Sequence, residues 1–127
     1  MARYNQNLAV LPFRVGERVD VLLVAGGEGW RLPGGAMQKG LTQHASAALE
    51  ARRETGLSGR IYKRPLRQAR GDERVIIFPM LVVNGAAEAT DGASGECQWF
   101  PLQRAADLLG HSLKPALDDF SRRIGVG

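Results

Sequence analysis

The chain has 127 residues, 44% of them hydrophobic and 24% charged, which is the size and composition of one globular domain. Lys and Arg number 17 against 13 acidic residues, giving a net charge of +4, and the single cysteine excludes an internal disulfide. The longest apolar run, 75–83, is far shorter than the roughly 20 residues that a membrane-spanning helix needs. We therefore expect a single domain over 1–127 with no membrane span. The N-terminal residues lack the layout of a secretory signal, so a reducing cytoplasm is the expected location.

Strand-like segments come first in the chain. The apolar, β-branched segments 8–15 and 18–25 are separated by Gly16-Glu17, which predicts a hairpin. Similar segments later in the chain predict three more strands, and two amphipathic patterns predict C-terminal helices: strands at 59–68, 74–83 and 97–101, helices at 102–109 and 114–123. Strands this apolar are expected to be covered on both faces, so the order predicts an α/β (α+β) protein, a mixed sheet between helices.

A glycine-rich stretch precedes the central helix. Thr42 is a good N-cap and Gly56 supplies a stop, which together predict a helix over 43–55. On a helical wheel the packing face of this helix is expected to hold Ala45, Ala48 and Leu49.

Glu50 and Glu54 lie one turn apart on the predicted helix, roughly opposite that face, with Arg53 between them. Such a pair is either the start of a divalent-metal site or an ordinary surface ion-pair ladder. The glycine loop ending at Gly35 can turn tightly and bring a carbonyl towards the acids. Mg²⁺ prefers oxygen ligands of this kind and often bridges to substrate phosphates. The loop could equally be a phosphate cradle or only a turn.

The segment 29–59, GWRLPGGAMQKGLTQHASAALEARRETGLSG, has a recognisable spacing. It resembles the Nudix hydrolases, whose signature is Gly, five residues, Glu, seven residues, Arg-Glu, an aliphatic, any residue, Glu-Glu, any residue, Gly and an aliphatic. Together with the later QWFPLQRAADLL, the likeness spans most of the chain, and it is most similar to bacterial members related to diphosphoinositol polyphosphate phosphohydrolases. The resemblance implies a Nudix-like α/β/α sandwich.

Aligned on Gly35, the signature is degenerate at three positions. Its first Glu is Leu41 and its Arg is Leu49, a joint change that exchanges an ion pair for an apolar contact and strands no charge. At the first position of the signature's Glu-Glu pair, this sequence has Arg53. The change removes a carboxylate and adds a positive charge beside the expected metal position. Metal affinity is expected to fall, unless Arg53 swings away or binds substrate phosphate directly.

The resemblance implies a hydrolase of a phosphoanhydride, X-diphosphate, that uses Mg²⁺ (or Mn²⁺). Glu50 and Glu54 are then the catalytic carboxylates, and the implied metal ligands are Gly35, Glu50, Glu54 and Glu96. Asp91 is the less favoured choice for the last of these, and either acid could equally be an ordinary solvated loop residue. Basic residues outnumber acidic ones over 52–74, and we expect this excess to grip a small phosphorylated substrate by charge-assisted hydrogen bonds. The predicted substrate-binding residues are Arg53, Lys63, Arg64 and Arg67.

A second hypothesis is a Nudix-fold module that has lost efficient catalysis and binds a nucleotide or another phosphorylated ligand. The three altered signature positions motivate it. Nucleic acid is disfavoured as a partner, because Tyr62 is the one stacking ring in the basic segment, whereas single-strand binders usually interleave several aromatics with the positive charge.

Overall fold

A computed structural model describes residues 7–26, 29–36, 39–57, 59–66, 75–82 and 96–125. These residues form seven strands, three α-helices and one 3₁₀ turn. In chain order the elements are β1 (Asn7–Val15), β2 (Val19–Gly26), β3 (Gly29–Arg31), β4 (Gly34–Ala36), α1 (Gln43–Thr55), β5 (Gly59–Ile61), β6 (Val75–Val82), β7 (Cys97–Pro101), α2 (Leu102–Leu109), the 3₁₀ turn His111–Leu113 and α3 (Lys114–Ile124). Among the described residues, no helix is long and apolar enough to cross a membrane.

The strands form one mixed sheet in the order β3-β2-β1-β6-β5, with β7 added to β2 and β4 added to β1. β1 runs antiparallel to β2, which confirms the predicted hairpin, and parallel to β6, which makes the sheet mixed. Within the described part of the strand predicted over 59–68, regular pairing with β6 covers Gly59–Ile61, and beyond it Tyr62 and Leu66 donate single backbone bonds to the Pro79 and Ile77 carbonyls of β6.

β1 and β2 separate beyond the hairpin, and the glycine-rich stretch fills the gap. Residues 13–15 of β1 pair with β2, whereas residues 7–9, on the same edge, pair with β4. β2 pairs with β3 at its other end, through residues 24–26. The short strands β3 and β4 therefore lie between the diverging ends of two longer ones.

The helices cover both faces of the sheet, which confirms the predicted α/β/α sandwich. α1 packs over one face, where small helix residues meet apolar strand residues: Leu8, Val10, Leu22, Val24, Ala47, Ala51, Phe78, Met80 and Cys97. α2 and α3 cover the other face, with a core of larger side chains: Leu11, Phe13, Val21, Leu23, Ile77, Ala105, Leu117 and Phe120.

The ends of α1 are those that the sequence predicts. The Thr42 hydroxyl accepts a hydrogen bond from the Ala45 amide at 3.2 Å, and Gly56 closes the helix in the left-handed conformation with φ of 75°. The predicted packing face is wrong, however. The buried residues of α1 are Ser46, Ala47, Ala51, Glu54 and Thr55.

The reason for the different face is the size of the side chains on it. Ala47 and Ala51 are fully buried and let the helix backbone come close to the sheet. Glu54 follows Ala51 by three residues and so shares this face. A carboxylate that was expected to face away from the packed side is thereby carried to the sheet.

Candidate functional site

Glu54 is the buried carboxylate of the site. Its side chain is only 9% exposed. One oxygen, Oε1, accepts from the backbone amide of Gly34 at 2.8 Å and from Nη1 of Arg31 at 3.2 Å. The other, Oε2, accepts from Nη2 of Arg31 at 2.6 Å. A bidentate guanidinium and a backbone amide together compensate the burial of this charge.

Arg31 lies on β3, in the gap between β1 and β2, and reaches across to α1. Besides gripping Glu54, its Nη1 donates to the Leu32 carbonyl at 3.1 Å. The hydrogen bond to Glu54 is the main reason why the pKa of Arg31 is raised above its ordinary value; burial acts in the opposite direction. Arg31 is therefore charged at any physiological pH.

The glycine loop fits closely against β1 and α1. A Cβ on Gly34 would overlap the Leu8 carbonyl oxygen, so no side chain fits where β4 meets β1. A Cβ on Gly35 would lie 2.9 Å from Oε1 of Glu50, so the Gly35 backbone and the Glu50 carboxylate are neighbours. The structure thus brings together the glycine and the acid that the sequence suggested as a pair.

Glu50 has a guanidinium beside it too, but the contact is weaker. Nη1 of Arg53 donates to Oε2 of Glu50 at 3.2 Å, and the Arg53 side chain is 58% exposed, whereas that of Glu50 is 13% exposed. Exposed pairs three residues apart on a helix stabilise by only about 0.2–0.5 kcal/mol. Arg53 can therefore leave Glu50 at little cost, which Arg31 cannot do at Glu54.

The predicted metal ligands are only partly brought together. Among the described residues, no group of three or more His, Cys, Asp or Glu side chains comes together in a way that could hold a metal ion. Glu96, exposed just before β7, therefore does not complete a site with Glu50 and Glu54, and Asp91 lies outside the described residues. What the structure offers is one carboxylate, Glu50, beside the backbone of Gly35. This small set suits Mg²⁺, which often takes one or two carboxylates and completes its shell with waters and substrate phosphates.

The described part of the basic segment after β5, residues 62–66, packs against β6 and α3. Arg123 of α3 donates to the carbonyls of Arg64 and Pro65, at 2.8 and 2.5 Å. Leu66 belongs to the core under α2 and α3. The segment that carries Lys63 and Arg64 thus runs beside β6, and the Arg64 carbonyl is held by α3, which covers the face of the sheet opposite α1. This placement does not support a role for the two residues in gripping substrate at Glu50. Arg67 lies outside the described residues.

Arg31 is the site residue that sequence reasoning missed. It stands 23 positions before Glu54, and nothing local links the two. A signal did exist in the spacing of α1, because Glu54 lies three and seven residues after alanines that pack on the sheet. A carboxylate on a packed face needs a cationic partner.

The structure is an α/β/α domain in which a glycine loop packs against a helix that carries carboxylates. This is the class of domain that the motif of residues 29–59 indicated. The chain belongs to the NUDIX domain family, whose sequence model matches residues 4–123. Hydrolases of this family generally use a divalent metal and act on small phosphorylated substrates.

Solved structures agree with this fold. An Ap4A hydrolase from C. elegans superposes with a TM-score of 0.74 at 16% identity, covering 94% of this chain and 98% of that one. A MutT protein from Methanosarcina mazei Go1 gives a TM-score of 0.66 at 19% identity, covering 98% and 99% of the two chains. A mutT/nudix family protein from Listeria innocua gives 0.69 at 18% identity, covering 98% and 96%. No curated protein matches the sequence significantly.

Proposed function

We propose that this chain is a Nudix-type hydrolase that cleaves the phosphoanhydride of a small X-diphosphate compound, either a nucleotide derivative or a polyphosphorylated metabolite. Family membership supports the reaction class. The observation that carries the proposal for this chain is the position of Glu50, whose carboxylate lies against the backbone of Gly35 and has a neighbour, Arg53, that is free to move. The cytoplasmic location and the preference for a small molecule over nucleic acid stay predictions.

Glu50 and Gly35 are the groups that would hold the metal, for which Mg²⁺ or Mn²⁺ is the proposed ion. A divalent ion there would neutralise charge on the phosphoryl oxygens of the substrate. A single protein carboxylate makes the site weak in the absence of substrate, so we expect metal and substrate to bind together, the substrate phosphates supplying the missing oxygens.

The chain's own residues act on the phosphates and on the attacking water. Arg53, exposed and held by one hydrogen bond, can turn from Glu50 to a substrate phosphate, with which a guanidinium makes stronger charge-assisted bonds. This movement also uncovers Glu50. A carboxylate at the edge of the glycine loop is then able to accept a proton from water attacking the phosphorus atom.

Phosphate release from a panel of nucleoside diphosphate derivatives and inositol pyrophosphates, with and without Mg²⁺, tests the proposal. We expect Glu50→Gln to lower kcat by at least about 100-fold, the range in which loss of an acid-base group usually falls. Glu17→Gln, in the exposed hairpin turn, is the matched control and should behave like the unaltered protein. Turnover by Glu50→Gln at the normal rate would remove Glu50 from the mechanism.

A binding module without efficient turnover is the second candidate. The observation that favours it is the arrangement of two guanidiniums on two acids: Arg31 on Glu54 and Arg53 on Glu50. Among the described residues each acid is therefore matched by one guanidinium, a group that also binds phosphate. If no compound of the panel is hydrolysed above background while imidodiphosphate, a non-hydrolysable diphosphate, still binds in calorimetry, the module is the correct function.

A further inference from the structure

We propose that Arg31 is the resident cation of Glu54, so that a divalent metal binds this protein at Glu50 and not at Glu54. Glu54 is then a positioning residue, which holds the glycine loop against α1. The inference deepens the proposed function and rests on it only for the metal at Glu50.

The first support is the saturation of the Glu54 carboxylate. Both of its oxygens already receive donors, Oε1 from Gly34 and Arg31 and Oε2 from Arg31, at 2.6 to 3.2 Å. The planar fork of a guanidinium matches a carboxylate in this bidentate geometry. A metal ion that approached Glu54 would have to displace the Arg31 guanidinium from the Glu54 side chain, which is only 9% exposed.

The second support is the way in which Arg31 itself is fixed. It donates to the Leu32 carbonyl as well as to Glu54, and its side chain lies across Gly26, where an added Cβ would be 2.9 Å from Nε. Arg53 has neither restraint and is 58% exposed. Of the two described guanidiniums that bond to these acids, Arg53 is thus the movable one and Arg31 the fixed one.

The third support is the structural role of the Arg31–Glu54 pair. Glu54 joins three elements, because it belongs to α1, binds β3 through Arg31 and binds the first residue of β4 through the Gly34 amide. The glycine loop next to Glu50 is therefore held at both of its ends. A metal ion that displaced Arg31 from Glu54 would break the bonds that anchor the loop. Removing Arg31 by mutation would instead leave the Glu54 carboxylate without its guanidinium and able to attract a cation.

The test is the affinity for Mn²⁺, measured by the electron paramagnetic resonance of the free ion, with and without imidodiphosphate. We expect Arg31→Gln to bind Mn²⁺ at least about tenfold more tightly than the unaltered protein, because a carboxylate is released and a positive charge removed. Arg14→Gln is the matched control: Arg14, near the end of β1 distant from β4, pairs with the buried carboxylate of Asp20 on β2, and its replacement should leave the affinity unchanged. The double variant Arg31→Gln/Glu54→Gln should return to the original affinity.

Equal affinity in Arg31→Gln and the unaltered protein, or an equal gain in Arg14→Gln, overturns the proposal. So does a loss of affinity in the double variant, since Glu54 would then be a ligand in the natural site. Should Arg31→Gln fail to fold, the double variant decides alone, because it strands no buried charge. Metal binding is measured without turnover, so an inactive protein that shows the expected gain would contradict the hydrolase and leave this inference standing.

Discussion

Two glutamates on successive turns of one helix have different neighbours because they sit at different angles to the sheet. Glu54 shares the face of Ala47 and Ala51 and is carried into the interface, whereas Glu50 lies at the edge, beside Gly35. A buried carboxylate without a partner costs several kcal/mol, so the fold had to supply a cation at Glu54. Glu50 is paired as well, but its described cation, Arg53, is 58% exposed and is the more easily displaced of the two.

At the residue scale, Arg31→Gln should lower the free energy of unfolding by about 2–3 kcal/mol. Breaking a fully buried ion pair costs about 3–5 kcal/mol, and this value is reduced because Arg31 is 45% exposed. Arg53→Gln removes a guanidinium from the neighbouring acid of the same helix, but from an exposed pair, and should cost less than about 0.5 kcal/mol. Urea denaturation of the two variants checks the difference. Equal losses would show that the Arg31–Glu54 bonds contribute no more than a surface pair.

The alkaline pH dependence of the same pair follows from the raised pKa of Arg31, caused mainly by its hydrogen bond to Glu54. A folded-state pKa above the unfolded one gives stability that is complete at lower pH and is lost only as the pH rises through the folded-state value. That value lies beyond the working range of the protein. The stability difference between the natural protein and Arg31→Gln should therefore stay constant from about pH 7 to about pH 10. A decline over this window, seen in urea melts, would mean that another group titrates with the pair.

At the scale of elements, the approach of β4 to β1 depends on Gly34. Its φ is not positive, so the requirement for glycine here is purely one of space: a Cβ would overlap the Leu8 carbonyl. Gly34→Ala should cost about 2–4 kcal/mol, at or above the usual range for overpacking, and should weaken the bond from the Gly34 amide to Glu54. Gly29→Ala is the control, since a Cβ there meets no atom within 4 Å. Glycine replacement at such an open site should be neutral or stabilise by up to about 1 kcal/mol. Thermal melts that rank the two the other way would contradict this account of the loop.

Elements with signals inside their own segments were predictable from the sequence. α1 carries its N-cap and its glycine stop within a few residues, and α2 was bounded correctly at 102–109 by its apolar pattern. The three-residue strands β3 and β4 were not predicted, because their pairing depends on the separation of β1 from β2 and not on their own residues. The site divides in the same way. Gly35 and Glu50 follow from the spacing of the motif, but the bond between Arg31 and Glu54 depends on where β3 lies.

At the scale of the whole molecule, the sheet separates two cores with different roles. The core under α1 is built from small helix residues and positions Glu50 and Glu54, whereas Leu32, between β3 and β4, belongs to the core under α2 and α3. The core under α2 and α3 is built from larger side chains, including Phe13 and Phe120, whose rings meet edge to face at 4.8 Å. The partners of the two acids described above, Arg31, Gly34 and Arg53, are not part of that second core. Stability and binding should therefore respond to different mutations.

Two substitutions, one in each core, test this separation. Phe120→Ala removes a fully buried ring and should cost about 3–5 kcal/mol, yet leave the affinity of the folded protein for imidodiphosphate within about twofold. Ala47→Leu forces extra volume between α1 and the sheet; it should cost about 1–3 kcal/mol and weaken imidodiphosphate binding by more than about tenfold, because the helix that carries both acids must shift. Urea melts give the stabilities, and calorimetry under conditions where each variant is folded gives the affinities. If Phe120→Ala weakened binding as much as Ala47→Leu, the two faces of the sheet would be coupled, and the site could not be attributed to the α1 side alone.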